Sequence, residues 1–186
     1  MYHTTFPSDL PVPQDDGACA HLVNTKLASL PLTATSGEPI DLSALPGLTI
    51  LFCYPRTGAP GETIPDEWNA IPGARGCTPQ ACAFRDMKAE LGVHGVNNLF
   101  GLSTQDTKYQ TEVKERLHLP FELLSDDELR LVGALKLPTF QWEDSVLVRR
   151  LTLAIRNGTI VKVWYPVFPP DKSAEEVAMW LKERES

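Results

Sequence analysis

Apolar residues along the chain keep two different periods in turn, and the switches between them outline the elements. Residues 48–54, Leu-Thr-Ile-Leu-Phe-Cys-Tyr, form an unbroken β-rich run, the pattern of a central strand covered on both faces. Ahead of it, 30–35 and 39–42 flank Ser36-Gly37-Glu38, which predicts a hairpin closed by a glycine turn. Phe84, Met87 and Leu91 follow at helical spacing. Thr78 is the expected N-cap of that helix, Pro79 its first residue and Gly92 its C-terminal cap. Residues 97–103 predict a second buried strand, 106–117 a helix with Tyr109, Val113 and Leu117 along one side, and 121–124 a short strand. Ser125-Asp126-Asp127-Glu128 has capping-box spacing and opens a further helix through Val132 and Leu135.

The last third changes character. Residues 146–155 are one long β-rich run, Asn157-Gly158 is a strong hairpin signal, and 159–165 runs back antiparallel. Ser173-Ala174-Glu175-Glu176 caps a final helix with Val177, Trp180 and Leu181 on its core face. A β-α-β-α half joined to a hairpin and a closing helix is an α/β, thioredoxin-like plan: a central mixed sheet flanked by helices. Residues 1–23, rich in proline and without apolar period, read as an arm lying on the domain or partly disordered, and 24–186 as one domain. Cys19 in the arm reads as incidental and Cys53 as core. The aperiodic stretch 58–73 reads as an inserted loop, with Trp68 as its anchor.

Charge narrows the function. Seventeen basic against twenty-four acidic residues, net −7, argue against a nucleic-acid or anionic-membrane surface. No apolar run approaches the ~20 residues that span a bilayer, and the first sixteen residues lack a secretory pattern, so a cytoplasmic protein is expected. In that reducing compartment, two cysteines five positions apart, Cys77 and Cys82, point to redox chemistry rather than to a structural staple. A cysteine at a helix N-terminus feels unpaired N–H groups and the positive end of the dipole, which favour the thiolate.

The run Gly76-Cys77-Thr78-x-Gln80-Ala81-Cys82-x-Phe84-Arg85-Asp86, after Tyr54-Pro55 and before Gly101-Leu102-Ser103 and Arg150, resembles the peroxiredoxins of the bacterioferritin-comigratory or Q-type branch. The resemblance runs from about residue 27 to residue 183. It implies a thiol peroxidase acting on hydrogen peroxide or organic hydroperoxides, with Cys77 peroxidatic, Cys82 resolving and Arg150 stabilising peroxide and thiolate. It implies a thioredoxin- or glutaredoxin-like reductant; no cofactor or metal is expected, and a monomer and a homodimer are both left open. The family pattern Pro-x-x-x-Thr-x-x-Cys is broken, however: Ala74 stands at the threonine position and Ala70 at the proline. Pro55 lies twenty-two positions before Cys77 rather than seven, an excess of fifteen. Thr57, beside Pro55, is therefore the candidate hydroxyl donor.

Two matters of geometry stay open in the sequence. Strand alternation puts Arg150 with Val148 and Thr152 on one face and Arg149 with Leu147 and Leu151 on the other, without saying which face meets Cys77. Five helical residues rise ~7.5 Å, beyond the about 7 Å a disulfide spans, so Cys77–Cys82 closure requires the first turn to unwind. If Thr78 caps, Cys77 instead lies outside the helix and already near Cys82. A general disulfide oxidoreductase would share the fold, but no C-x-x-C occurs. A metal site from Cys77, Cys82 and His94 lacks the usual paired spacing. A non-catalytic redoxin-like binding module is the remaining alternative.

Overall fold

The computed structural model describes residues 6–185, Glu185 by its backbone alone. Nine strands and five helices follow in order: β1 Leu32–Ala34, β2 Pro39–Ile40, β3 Leu48–Cys53, α1 Asp66–Asn69, α2 Cys77–Val93, β4 Val96–Ser103, α3 Thr107–Leu117, β5 Glu122–Ser125, α4 Arg130–Leu135, β6 Thr139–Trp142, β7 Ser145–Val148, β8 Leu151–Arg156, β9 Thr159–Trp164 and α5 Ser173–Glu185. Seven strands form one mixed sheet in the order β2-β1-β5-β4-β3-β8-β9. Here β3 pairs parallel with β4 and antiparallel with β8, and β4 pairs parallel with β5. This is the expected thioredoxin-like plan.

Every residue of β3 is buried, as its continuous apolar run requires, and its side chains divide between two core layers. Leu48, Ile50 and Phe52 join Phe84 and Leu91 of α2, Val113 of α3 and Val177 and Leu181 of α5. The Phe52 and Phe84 rings stack with centroids 4.4 Å apart, which seats α2 on the strand. Leu51 and Cys53 turn to the opposite layer, with Leu131, Val132 and Leu135 of α4.

That second layer also contains Cys19 and Leu22. The arm thus lies on the domain, and Cys19 is a core residue rather than an incidental one. Among the described residues of the arm, Cys19 and Leu22 are the apolar side chains in this layer, too few to produce a period. Burial, reinforced by the charges of Asp16 and Asp15, raises the Cys19 thiol from an ordinary 9.0 to about 12.

Three further boundaries differ from expectation. The run 146–155 is not one strand: β7 pairs with β6 in a separate hairpin turned at Glu143 (φ +50°), and Arg149 and Arg150 break the run before β8. The Arg149 N–H donates to the Pro138 carbonyl, the next position in the β6–β7 register, and not to a strand of the seven-stranded sheet. The capping box at 125–128 does not form. Asp126, buried, accepts from the N–H groups of Arg130, Leu131 and Val132 at 2.7–3.1 Å, so α4 opens after Leu129. α2 continues one residue past Gly92, because the left-handed turn falls at Gly95. The Asn157-Gly158 turn is as predicted, both residues having positive φ.

The 58–73 loop is not featureless. It carries the single turn α1, whose Trp68 is buried against the β6–β7 hairpin, 5.0 Å from the Trp142 ring and 5.9 Å from Phe140. Trp68 is the anchor its composition suggested, and its partners belong to the hairpin hidden in the sequence.

Asp126→Ala strands three backbone donors and is expected to destabilise the fold by about 2 kcal/mol, with Asn recovering part of it, in urea unfolding. A change below about 0.5 kcal/mol would contradict this. Because the folded Cys19 thiol titrates above its unfolded value, its contribution is complete below pH ~9 and lost as pH rises toward 12. The urea midpoint should therefore fall less between pH 8 and pH 10.5 in Cys19→Ala than in the wild type.

Candidate active site

The site begins at the N-terminus of α2. Gly76 caps the helix with φ 110°, a left-handed conformation that side chains rarely adopt. A Cβ there would stand 2.6 Å from Pro170 Cγ and 2.8 Å from Phe6 Cε2, so only glycine fits. The Gly76 carbonyl accepts from Gln80 N–H at 3.0 Å, which starts the ladder with Cys77 as the first helical residue. Thr78 is thus not the cap. Pro79 still falls within the first turn, where its missing N–H leaves no bond unmade.

Arg150, placed by the segment between β7 and β8, reaches this turn. Its Nη2 stands 3.2 Å from Cys77 Sγ and donates to the Ala74 and Arg75 carbonyls at 3.0 and 3.3 Å. Nε donates to the Gly73 carbonyl at 3.2 Å, and Nη1 to Gln80 Oε1. Arg150 is 3% exposed and Cys77 5%. Arg149 lies elsewhere, over the Phe140 ring with its Cζ 5.3 Å from the centroid, and lines a second cavity with Asp16 and Tyr165.

Gln80 continues the network inward. Fully buried, it donates from Nε2 to Ser173 Oγ at 3.3 Å, which in turn meets Thr152 Oγ1 at 3.3 Å. Sequence reasoning treated Gln80 only as a motif position and Ser173 only as a cap. The available signal was a glutamine three positions after Cys77, in the first turn of a helix whose next turn is apolar.

Cys82 lies on the same regular helix as Cys77, half-buried, and burial raises its thiol. At 100° per residue the two side chains diverge by roughly 140° and ~7.5 Å of rise. Both cysteines are free thiols here. Cys53 is fully buried, with its thiol also raised by burial.

Thr57 is buried and lines a cavity of about 260 Å³ together with Cys77. Its hydroxyl donates to Gln105 Oε1 at 3.3 Å, and Gln105 Nε2 donates back to the Thr57 carbonyl at 3.1 Å. At the position where the threonine was sought, Ala74 supplies only its carbonyl, 3.7 Å from Cys77 Sγ. Arg56, Trp68, Arg75 and Trp142 complete much of the cavity wall. Among the described residues no three His, Cys, Asp or Glu side chains converge as metal ligands, and no helix is long and apolar enough to cross a membrane.

Residues 13–178 match the Redoxin family. The chain is 30% identical over 161 residues to Peroxiredoxin Bcp of Bacillus subtilis, covering 82% of this chain and 90% of the relative. It is 28% identical to the chloroplastic Peroxiredoxin Q of Suaeda salsa, over 78% of this chain and 61% of that one. Among solved structures, Peroxidoxin BcpB from Mycobacterium tuberculosis superposes with a TM-score of 0.71 at 23% identity, over 89% of this chain and 100% of its own. The family match and these relatives fix the ancestry: the chain belongs to the Redoxin family and is a peroxiredoxin of the Bcp/Q branch, a thiol peroxidase.

Proposed function

We propose that Cys77 is the peroxidatic residue, Arg150 its activating partner and Cys82 the resolving thiol, in the reduction of hydrogen peroxide or organic hydroperoxides. The observation that carries this reading is the 3.2 Å approach of Arg150 Nη2 to Cys77 Sγ at the cavity wall. Sulfur attacks one peroxide oxygen, the O–O bond breaks, and the other oxygen leaves as alkoxide or hydroxide and takes up a proton. Ionisation of the thiol alone contributes only about tenfold over an ordinary cysteine. The larger share comes from donors aimed where charge develops. Arg150 Nη2, already poised beside the sulfur, is the first of them. Thr57 is the second, exchanging its hydrogen bond to Gln105 for one to the peroxide.

The product, a Cys77 sulfenic acid, condenses with the Cys82 thiol, forming S–S and releasing water. The divergence of the two side chains on α2 requires the first turn to open for this step, which also exposes the half-buried Cys82. The disulfide then takes two electrons from an external dithiol. A thioredoxin- or glutaredoxin-class donor in a reducing compartment such as the cytoplasm fits that need.

Reduced protein treated with one equivalent of hydrogen peroxide should lose two thiols and gain no oxygen by mass. Cys82→Ser should instead gain one oxygen, on Cys77, and stall under thioredoxin recycling. Unchanged turnover by Cys82→Ser would overturn its role, and unchanged turnover by Cys77→Ser would overturn the whole assignment.

A further inference from the structure

The cavity at Cys77 is larger than its smallest substrate needs. At about 260 Å³ it far exceeds hydrogen peroxide, a molecule little bigger than a water, whose share of liquid volume is about 30 Å³. Ile64, Pro65, Trp68 and Trp142 give it apolar walls, suited to an organic group on the peroxide.

Its charges are not equivalent. Arg56 is neutralised by an ion pair with Glu62 and lies 5.8 Å over the Trp68 ring. Arg75, half-buried in the same wall, has a single side-chain hydrogen bond among the described residues, from Nη1 to the neutral Asn69 Oδ1 at 3.1 Å. No carboxylate pairs with it among the described residues. A guanidinium has five donors in a rigid fork matched to carboxylate, so most of this fork is unused. Its backbone is fixed as well, because the Arg75 carbonyl accepts from Arg150 Nη2 at 3.3 Å. The opposing acid, Glu143, is exposed at the rim on the β6–β7 turn, where solvent and salt screen it more than they screen Arg75.

We infer that the site prefers organic hydroperoxides carrying a carboxylate: Arg75 binds the carboxylate, the Trp68–Trp142 wall holds the hydrocarbon, and the hydroperoxide points to Cys77. This rests on the peroxidase reading above and names the substrate class for the same site. Arg75 acts as a specificity residue, and its chemistry is binding, with no change in the redox step.

The test uses a matched pair, cumene hydroperoxide and its para-carboxylate, with hydrogen peroxide as reference. The wild type should show about a tenfold higher kcat/KM for the carboxylate, the scale of one charge-assisted hydrogen-bonded pair. That ratio should fall with added salt. In Arg75→Gln it should drop to about one, and Arg75→Lys should recover part of it. Equal kcat/KM for the pair in the wild type overturns the inference whatever the variants do, as does a ratio unchanged in Arg75→Gln. If the pair is equal while hydrogen peroxide and cumene hydroperoxide are both reduced, the peroxidase reading stands and only the substrate preference fails. If no hydroperoxide is reduced, both fail.

Discussion

A buried guanidinium without a carboxylate among its hydrogen-bond partners is the constraint on which the site depends. Removing a cation from water is costly unless its donors are satisfied, and Arg150 is satisfied by three carbonyls, one amide oxygen and one sulfur. Those carbonyls belong to Gly73, Ala74 and Arg75, the last residues before the helix cap. The arginine therefore shapes the entry into α2 and contacts the sulfur at once. Of its partners only Cys77 carries reactive chemistry, so negative charge developing at the sulfur or on an adjacent peroxide meets a donor already in place.

The sheet makes this meeting possible. Antiparallel pairing of β3 with β8 sets Cys53 against Leu151, bringing the segment that carries Arg150 beside the end of the strand from which the 55–76 loop departs. The Phe52–Phe84 stack fixes α2 over that strand, and the Gln80–Ser173–Thr152 chain ties the helix to α5 and β8. Trp68 then clips the long loop to the β6–β7 hairpin. Loop and hairpin thus wall the cavity together.

How far the sequence foretold this follows from the local physics of each stretch. The strand at 48–54 was legible because burial on both faces leaves an unmistakable apolar run. The arm was opaque because Cys19 and Leu22 are isolated contacts set by tertiary packing. The run at 146–155 concealed a hairpin end and a break, since Arg149-Arg150 continues the alternation while the backbone leaves the sheet. At the start of α2, local preference favoured a Thr78-Pro79 cap. The left-handed Gly76, hemmed in by Pro170 and Phe6, moved the boundary and put Cys77 inside the helix. Cys77, Cys82 and Arg150 stood out as residues of a motif. Gln80 and Arg75 gained their meaning only from what they touch.

The central claim is that the fork of Arg150, and not merely its positive charge, prepares Cys77 for attack. The most direct measurement is the rate of Cys77 oxidation by hydrogen peroxide in a single turnover, compared between the wild type and Arg150→Lys. Lysine keeps the charge but cannot hold the carbonyls of residues 73–75 and the sulfur together. A fall of about a hundredfold or more, on the scale of losing a preorganised transition-state donor, is the result predicted, and a rate within about threefold of the wild type would contradict it.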